Sequence, residues 1–149
     1  MRAIVPALAI ALAAFVHDAR ANAPAGHYTL TADTARDTKT GLTWQRGTAP
    51  TRISLADANT YCAGLSAGGM TSGWRVPNIR ELLSTVDPSA TTSPRWDQTT
   101  FGASGPGEVW TTTPVANDAN GKIWAVSFVF GNTENVLPTV TLGARCVHD

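Results

Sequence analysis

The side chains that most often carry catalysis are few in this sequence and lie far apart. Beyond the first segment the histidines are His27 and His148, near opposite ends of the chain, and the acidic residues form no close pair. A serine or cysteine nucleophile needs a base and an orienting acid within reach, and neither histidine lies in such a setting. The H-E-x-x-H, P-loop and G-x-G-x-x-G motifs are also missing from the sequence. We therefore expect no enzyme activity and no cofactor.

A binding role is better suited to one tryptophan in a long polar stretch. Trp96 lies between Arg95 and Asp97, within a region from Pro88 to Glu108 that is rich in Thr, Ser, Pro and Gly. An exposed loop tryptophan beside an arginine suits contact with a carbohydrate or a protein. The alternative is a buried anchor, because a long surface loop often needs one aromatic side chain to fasten it.

A second tryptophan–arginine pair lies in the segment Trp74–Asn78. Such a pair can stack on a sugar or clamp an anion. The structural interpretation is favoured here, because Pro77 and Asn78 signal the start of a helix. It places Trp74 in the core and Arg75 in a fixed hydrogen-bond network. Across the two pairs, the candidate binding residues are Trp96 and Arg95, with Arg75 kept as a candidate for the less favoured binding interpretation of its segment.

Neither metal ligation nor nucleic-acid binding is favoured. The segment Asn117–Gly121 offers oxygen side chains at alternate positions, as calcium loops do, but Asn-Gly is a strong hairpin-turn signal and no acidic residue closes the motif. The chain has 11 basic and 11 acidic residues, whereas nucleic-acid binders carry a basic face. A sulfated glycan would need arginines that converge in space or across a homo-oligomer, and they are dispersed in sequence: Arg36, Arg46, Arg52, Arg75, Arg80, Arg95 and Arg145.

The first 21 residues have the layout of a secretory signal peptide. Arg2 gives a positive start, an apolar run extends from Ala3 to Val16, and Ala19-Arg20-Ala21 forms a small-x-small cleavage site. A membrane anchor is the alternative, but a spanning helix needs about 20 apolar residues and this run is shorter. We expect cleavage after Ala21, no membrane span in the mature chain, and a periplasmic or extracellular location.

Export brings the two cysteines of the chain into an oxidising compartment. Cys62 and Cys146 lie far apart and show neither a zinc-ligand spacing nor a C-x-x-C motif. A disulfide between them is therefore favoured over metal ligation and thiol catalysis. Closing so long a loop contributes roughly 4–5 kcal/mol in the chain-entropy model, less any native strain.

Hydrophobic periodicity and capping signals predict two short helices. The first covers residues 54–65, begins at a serine N-cap, and carries Cys62 on its apolar face. The second starts after Asn78, carries Glu81 at the capping-box position, and ends before Pro88. A cysteine on the buried face of the first helix is well placed to bridge to another element.

Alternating apolar and polar residues predict several short strands. The strand segments are residues 28–30, 42–46, 109–113, 123–130 and 144–148. Trp44, Trp110 and Trp124 lie on such strands and are expected in the core, and Phe130 is expected on the same face as Trp124. The predicted fold is α+β, with two short helices packed on one twisted, mainly antiparallel sheet and one disulfide. Residues 22–32 are expected to be a flexible lead-in, and residues 33–149 a single domain.

Several segments, taken together and in order, resemble the Lcl C-terminal-like domain family. They are D-x-x-T-G-L-T-W-Q-R at residues 37–46, Y-C-x-x-L at 61–65, W-R-V-P-N-x-x-E-L at 74–82, and R-C-V at 145–147. The resemblance covers residues 33–148, and the combination is specific although each segment alone is weak. A looser resemblance links the layout to C-type-lectin-like and sulfatase-modifying-factor folds, in which an early helix cysteine is bridged to the last strand. Fold analogy of this kind does not transfer function.

The family resemblance implies an exported bacterial domain linked to adhesion, with glycan binding reported for its namesake. We therefore expect a non-catalytic binding domain whose partner is a glycan or a cell-surface protein. The alternative is a structural or assembly subunit of a bacterial surface or pilus-type system that acts through protein contacts. A convergent arginine patch with Trp96 would favour a glycan, and a large exposed apolar patch would favour a protein.

Overall fold

The computed structural model describes residues 27–149. The predicted signal peptide, residues 1–21, and the first part of the predicted lead-in lie outside the described residues. The elements follow in the order β1 (Tyr28–Leu30), β2 (Thr34–Asp37), β3 (Thr43–Gln45), α1 (Leu55–Ala63), α2 (Ile79–Leu83), α3 (Gln98–Phe101), β4 (Glu108–Pro114), β5 (Ile123–Ser127), β6 (Asn132–Val136) and β7 (Val147–His148). None of these helices is long and apolar enough to cross a membrane.

The strands form two antiparallel sheets. The first has the order β1-β2-β3-β7, and the second has the order β4-β5-β6. The segment just before β7 joins them, because Gln45 N–H on β3 donates to Cys146 O and Trp110 N–H on β4 donates to Gly143 O. The predicted α+β fold with antiparallel strands is confirmed, but the one expected sheet is two. The finer expectation of a C-type-lectin-like fold stays a prediction.

Three elements are missing from the sequence prediction: β2, β6 and α3. Both strands carry polar residues at most positions, such as Arg36 on β2 and Glu134 on β6, so hydrophobic alternation does not reveal them. They are strands because backbone pairing with a more apolar neighbour holds them in place. β1 also pairs with β2, so the predicted flexible lead-in does not extend through Tyr28–Leu30.

The predicted strand over residues 123–130 is shorter than expected. β5 ends at Ser127, and Phe128 begins a turn that leads into β6. Phe130 lies in that turn and is 68% exposed, so its expected place on a buried face is wrong. Trp124 is only half-buried and belongs to neither core cluster, so its expected core position is wrong as well. Phe128 and Phe130 continue the alternating spacing beyond Ser127, so the sequence pattern does not reveal that the strand ends there.

Both predicted helices form with the predicted caps. At the start of α1, Ser54 Oγ accepts from the Asp57 N–H at 3.2 Å. At the start of α2, Asn78 and Glu81 form a complete capping box. α2 ends at Leu83, which is earlier than predicted.

The predicted disulfide between Cys62 and Cys146 is present, with 5.4 Å between the Cα atoms and a sequence separation of 84. It ties the buried face of α1 to the segment that enters β7. Both cysteines are fully buried in a core cluster with Trp74 and Trp110, while Trp44 belongs to a second core cluster. The predicted core positions of these three tryptophans are therefore confirmed.

Candidate functional site

Trp96 is buried, with 1% of its surface exposed, so the expectation of an exposed loop tryptophan is wrong. The centroid of its ring lies 4.6 Å from that of Phe128, and its Nε1–H donates to Gly102 O at 2.8 Å. A Cβ added to Gly105 would lie 2.7 Å from the indole, so the loop backbone closes directly over the ring. Trp96 is the aromatic anchor of its loop, which was the alternative interpretation.

Arg145 forms the other half of this anchor, a role that the sequence did not indicate. Its guanidinium carbon lies 4.2 Å from the Trp96 ring centroid and 4.3 Å from that of Phe101. Its Nε–H donates to Gly47 O at 3.3 Å. Burial lowers the pKa of Arg145 to about 9, and the nearby Tyr28 side chain acts in the opposite direction. The side chain is 1% exposed, so it packs the loop and contributes nothing to a surface patch.

Arg95 fastens the same loop to the second sheet. Its backbone N–H donates to Phe128 O at 2.7 Å, and its Nε–H donates to Val129 O at 3.2 Å. Its carbonyl accepts from the Asp87 N–H at 2.9 Å, which closes the loop on itself. Arg95 and Trp96 thus act together, as neighbours in sequence, to hold the loop in one position.

Arg75 belongs to a different part of the molecule. Its guanidinium makes two hydrogen bonds of 2.8 Å to the carboxylate of Glu81 and a further one to Asp149. The hydrogen bond to Glu81 raises the pKa of Arg75, and the same contact outweighs partial burial to lower the pKa of Glu81. Glu81 also completes the cap of α2, so the predicted role of Arg75 in a fixed hydrogen-bond network is confirmed. The structure does not bring Arg75 into the loop of Arg95 and Trp96.

The loop that Trp96 anchors forms an open cleft of about 290 Å³, which we call the 87–98 cleft. Its lining residues are Asp87, Ser89, Ala90, Thr91, Thr92, Trp96, Asp97 and Gln98. Most of these side chains carry a hydroxyl, carboxylate or carboxamide group, and none carries a positive charge. Two smaller clefts of about 260 Å³ lie over residues 32–33, 45–47 and 65–67, and over residues 48–52, 105–106 and 143.

Both carboxylates of the cleft are held by local hydrogen bonds. Asp87 Oδ1 accepts from the backbone N–H of Ser89 at 2.8 Å and from its hydroxyl at 2.6 Å. Asp97 caps α3 and accepts from Thr99 and Thr100 through both oxygens. Partial burial acts to raise the pKa of Asp97, but these hydrogen bonds outweigh it and hold the pKa below its ordinary value. Asp97 is therefore ionised at neutral pH.

Several acceptor atoms at the cleft receive no hydrogen bond from the described residues, among them Asp87 Oδ2, Gln98 Oε1 and Thr91 Oγ1. The carboxamide of Gln98 is oriented through its nitrogen, which donates to Pro94 O at 3.3 Å and to Thr92 Oγ1 at 3.4 Å. Its oxygen is thereby left as an acceptor at a defined position. The cleft can accept hydrogen bonds from a ligand without rearranging its own.

The dispersed arginines are largely engaged by the chain itself, which leaves little for a basic patch. Arg46 donates to Thr31 O and Thr100 O, both at 2.9 Å, and Arg52 pairs with Glu108 at 2.7 Å. Arg75, Arg95 and Arg145 are engaged in the contacts given above. No arginine is among the residues that line the 87–98 cleft. The cleft therefore lacks the convergent arginine patch at Trp96 that would have favoured a sulfated glycan.

The turn that resembled a calcium loop is a hairpin connection. Asp118 Oδ1 accepts from the backbone N–H of Asn120 at 2.9 Å and of Lys122 at 3.2 Å, so its carboxylate stabilises the turn. Within residues 27–149, no group of three or more His, Cys, Asp or Glu side chains is placed to hold a metal ion. The turn interpretation of residues 117–121 is confirmed.

Comparison with known proteins bears on the resemblance that the sequence segments suggested. A model of the Lcl C-terminal domain family matches residues 33–148. No curated protein matches the chain. The predicted family resemblance is therefore confirmed over the range that those segments span.

Proposed function

The chain belongs to the Lcl C-terminal domain family, and from this premise we propose that it is an exported, non-catalytic binding domain with an adhesive role. Its partner is a glycan or another component of a cell surface. The observation that carries the proposal is the 87–98 cleft, an open polar recess whose walls are fixed by hydrogen bonds. Small polar ligands are held at such sites by a few convergent donors and acceptors.

The frame around the cleft suits a binding domain outside the cytoplasm. The Cys62–Cys146 disulfide needs an oxidising compartment to persist, which agrees with the predicted signal peptide. Trp96 and Arg145 pack against each other and hold the loop in place, so the recess is already formed before a ligand binds. A preformed recess reduces the entropy lost on binding.

We treat the domain as non-catalytic because its two thiols and the carboxylate of Asp97 are already engaged. Both cysteines are in the disulfide, so the described residues contain no free thiol. Asp97 accepts four hydrogen bonds from its own neighbours, and their lowering of its pKa suits a structural anion better than a general acid.

A glycan array probed with the mature, oxidised chain tests this proposal, with a variant that fills the cleft beside it. We expect saturable binding to at least one glycan, and loss of that binding in Thr91→Trp, because the indole occupies the recess. Thr139→Trp is the matched control, since Thr139 is an exposed threonine that does not line the cleft.

Two results would contradict the proposal. An array on which no glycan is bound, together with no binding to intact cells, would remove the binding function. Binding that Thr91→Trp and Thr139→Trp leave equally strong would remove the cleft as its location. Circular dichroism of all three proteins checks that the substitutions leave the fold intact.

A second candidate function rests on the outer strand of the second sheet. β6 is an edge strand, and Phe130, in the turn just before it, is 68% exposed. A free strand edge beside an exposed aromatic ring is a surface where another protein can add a strand. In that case the chain is a structural or assembly subunit of a bacterial surface or pilus-type system. Loss of surface assembly in Phe130→Ser, with glycan binding unchanged, would favour this candidate.

A further inference from the structure

We infer that Asn120 is a site of spontaneous deamidation, at which the side-chain amide is converted to a carboxylate and the main chain is partly rerouted through the side chain. Asn120 lies in the turn between β4 and β5, within the segment that the sequence compared with a calcium loop. The inference goes beyond the proposed function, because it assigns a covalent change to a turn that lines none of the clefts described above.

The chemistry depends on the order of two residues. Asn120 is followed by Gly121, and this is the only Asn-Gly pair in the chain. The backbone nitrogen of Gly121 attacks the side-chain carbonyl carbon of Asn120 and closes a cyclic imide. A bond forms between that nitrogen and that carbon, the carbon–nitrogen bond of the side-chain amide breaks, and ammonia leaves with the proton of the attacking nitrogen. Asparagine is among the chemically labile residues of proteins.

Water from the solvent then opens the imide. Attack on the side-chain carbonyl carbon gives aspartate at position 120 with the original main chain. Attack on the main-chain carbonyl carbon gives isoaspartate, in which the main chain runs through the side-chain carbon atoms. Each route consumes one water molecule and transfers no electrons, and each leaves one carboxylate where a neutral amide had been.

The attacking nitrogen is unobstructed in the structure. Gly121 is exposed, and apart from its chain neighbours no heavy atom lies within 4 Å of the position that a Cβ would occupy. Glycine has no side chain to shield its own nitrogen, and its backbone changes conformation more freely than that of any other residue. The Gly121 N–H donates to Asp118 O at 3.2 Å, which is the long end of the range for such bonds, so this bond opposes the attack only weakly.

The side-chain amide of Asn120 is also unconstrained, which distinguishes it from the other asparagines. Asn120 is exposed, and the hydrogen bond that it makes to Asp118 comes from its backbone N–H and not from its amide. The amide of Asn78, by contrast, is engaged in the capping box of α2. In the remaining described asparagines, the next residue carries a side chain that shields its nitrogen: Asn59, Asn117, Asn132 and Asn135.

Isoaspartate would alter this turn, because it adds one atom to the main chain between points that are held by hydrogen bonds. Asp118 Oδ1 accepts from the N–H of Asn120 at 2.9 Å and of Lys122 at 3.2 Å. The Val115 N–H donates to Lys122 O at 2.8 Å, where the two strands meet the turn. The new carboxylate also lies close to that of Asp118, and like charges repel. In the converted protein, the backbone amide chemical shifts of Val115 and Lys122 should therefore change, while that of Trp96 stays unchanged.

Prolonged incubation of the oxidised mature chain at mildly alkaline pH, followed by peptide mapping with mass spectrometry, tests the inference. We expect Asn120 to be converted before any other asparagine, with both isoaspartate and aspartate among the products. The rate should rise with pH, because the attacking nitrogen must lose its proton. Isoaspartate is diagnostic, since direct hydrolysis of the amide yields aspartate alone.

Two matched variants test the role of the glycine. Gly121→Asp should slow the conversion of Asn120, because the new side chain shields the attacking nitrogen. Aspartate is among the few residues that tolerate a positive φ, here 65°. Gly41→Asp is the control, since Gly41 has a φ of 78°, equally open space around an added Cβ, and Thr40 before it. It should leave the conversion rate of Asn120 unchanged.

Three results would overturn the inference: an Asn120 that stays intact while other asparagines are converted, aspartate at position 120 without isoaspartate, or equal conversion rates in the two glycine variants. Asn120→Gln provides a check that does not alter the glycine. Glutamine keeps the amide but needs a larger ring for the same attack, so position 120 should then stay unmodified. Conversion of that glutamine at the rate found for Asn120 would also contradict the cyclic route.

Discussion

Two tryptophan–arginine pairs look alike in sequence but have different surroundings in the fold. Trp74 lies in the core beside the disulfide, and Arg75 forms an ion network with Glu81 and Asp149. Trp96 is equally buried, but the loop that it anchors leaves an open recess with unused acceptors. The two pairs therefore differ in the unsatisfied groups that surround them, and the residue types of the pairs do not reveal that difference.

One short segment supports both regions. Arg145 stacks on Trp96, Cys146 is bridged to α1, and the backbone of Val147 exchanges two hydrogen bonds of 2.9 Å with Arg75. The cleft and the ion network are thus attached to the same short segment, residues 145–147. Changes at this segment should loosen both, while changes at either tryptophan should act mainly on one.

The largest effects are expected from the two tryptophans. Trp96→Ala and Trp74→Ala should each lower the free energy of unfolding by about 3–5 kcal/mol, because each leaves a large cavity in a packed core. Only Trp96→Ala should also abolish glycan binding under conditions where the protein is folded. Chemical denaturation and the glycan array measure the two effects. A Trp96→Ala protein that binds normally would break the distinction between the regions.

The disulfide comes next in size. Replacing both cysteines in Cys62→Ala/Cys146→Ala should cost about 2–5 kcal/mol of stability, since the unfolded chain gains the freedom of an open loop. Amide hydrogen exchange should accelerate at both Arg75 and Trp96, because Cys146 holds the segment between them. Faster exchange in only one region would show that the shared segment does not couple the two.

The ion network should give a smaller effect that depends on pH. The pKa of Glu81 is lowered in the folded protein from its ordinary value of 4.5, so the stability that it contributes is present above that value. It is lost as the pH falls through the lowered pKa. The gain is at most about 1 kcal/mol, because Arg75 is partly exposed and water screens the pair. Glu81→Gln should flatten the stability profile below pH 4.5, and thermal unfolding across that range measures it.

The smallest effect on stability is expected at the cleft itself. Thr91→Trp should change the free energy of unfolding by no more than about 0.5 kcal/mol, because Thr91 is exposed and has no hydrogen bond to lose among the described residues. It should nevertheless remove glycan binding. A large loss of stability would show that the recess is part of the packed structure.

Local sequence signals predicted the helices, their caps, the disulfide and the more apolar strands, because each depends on residues close together or on a simple count of cysteines. They did not predict β2 or β6, whose polar residues form strands only through their neighbours. The exposure of Trp96 was predicted wrongly for a related reason. Its burial depends on Arg145 and Phe128, which are distant from it in sequence. Of the four segments that resemble the family, only R-C-V at residues 145–147 contains a residue that packs against Trp96, namely Arg145.

Mapping of backbone amide chemical shifts would show whether a glycan binds in the 87–98 cleft. The uniformly labelled mature chain would be titrated with the glycan that gives the strongest array signal. We expect the shifted amides to cluster at Asp87 to Gln98, and the amides of Arg75, Glu81 and β6 to stay unchanged. Shifts that cluster around Phe130 and β6, or around Arg75, with residues 87–98 unaffected, would contradict it.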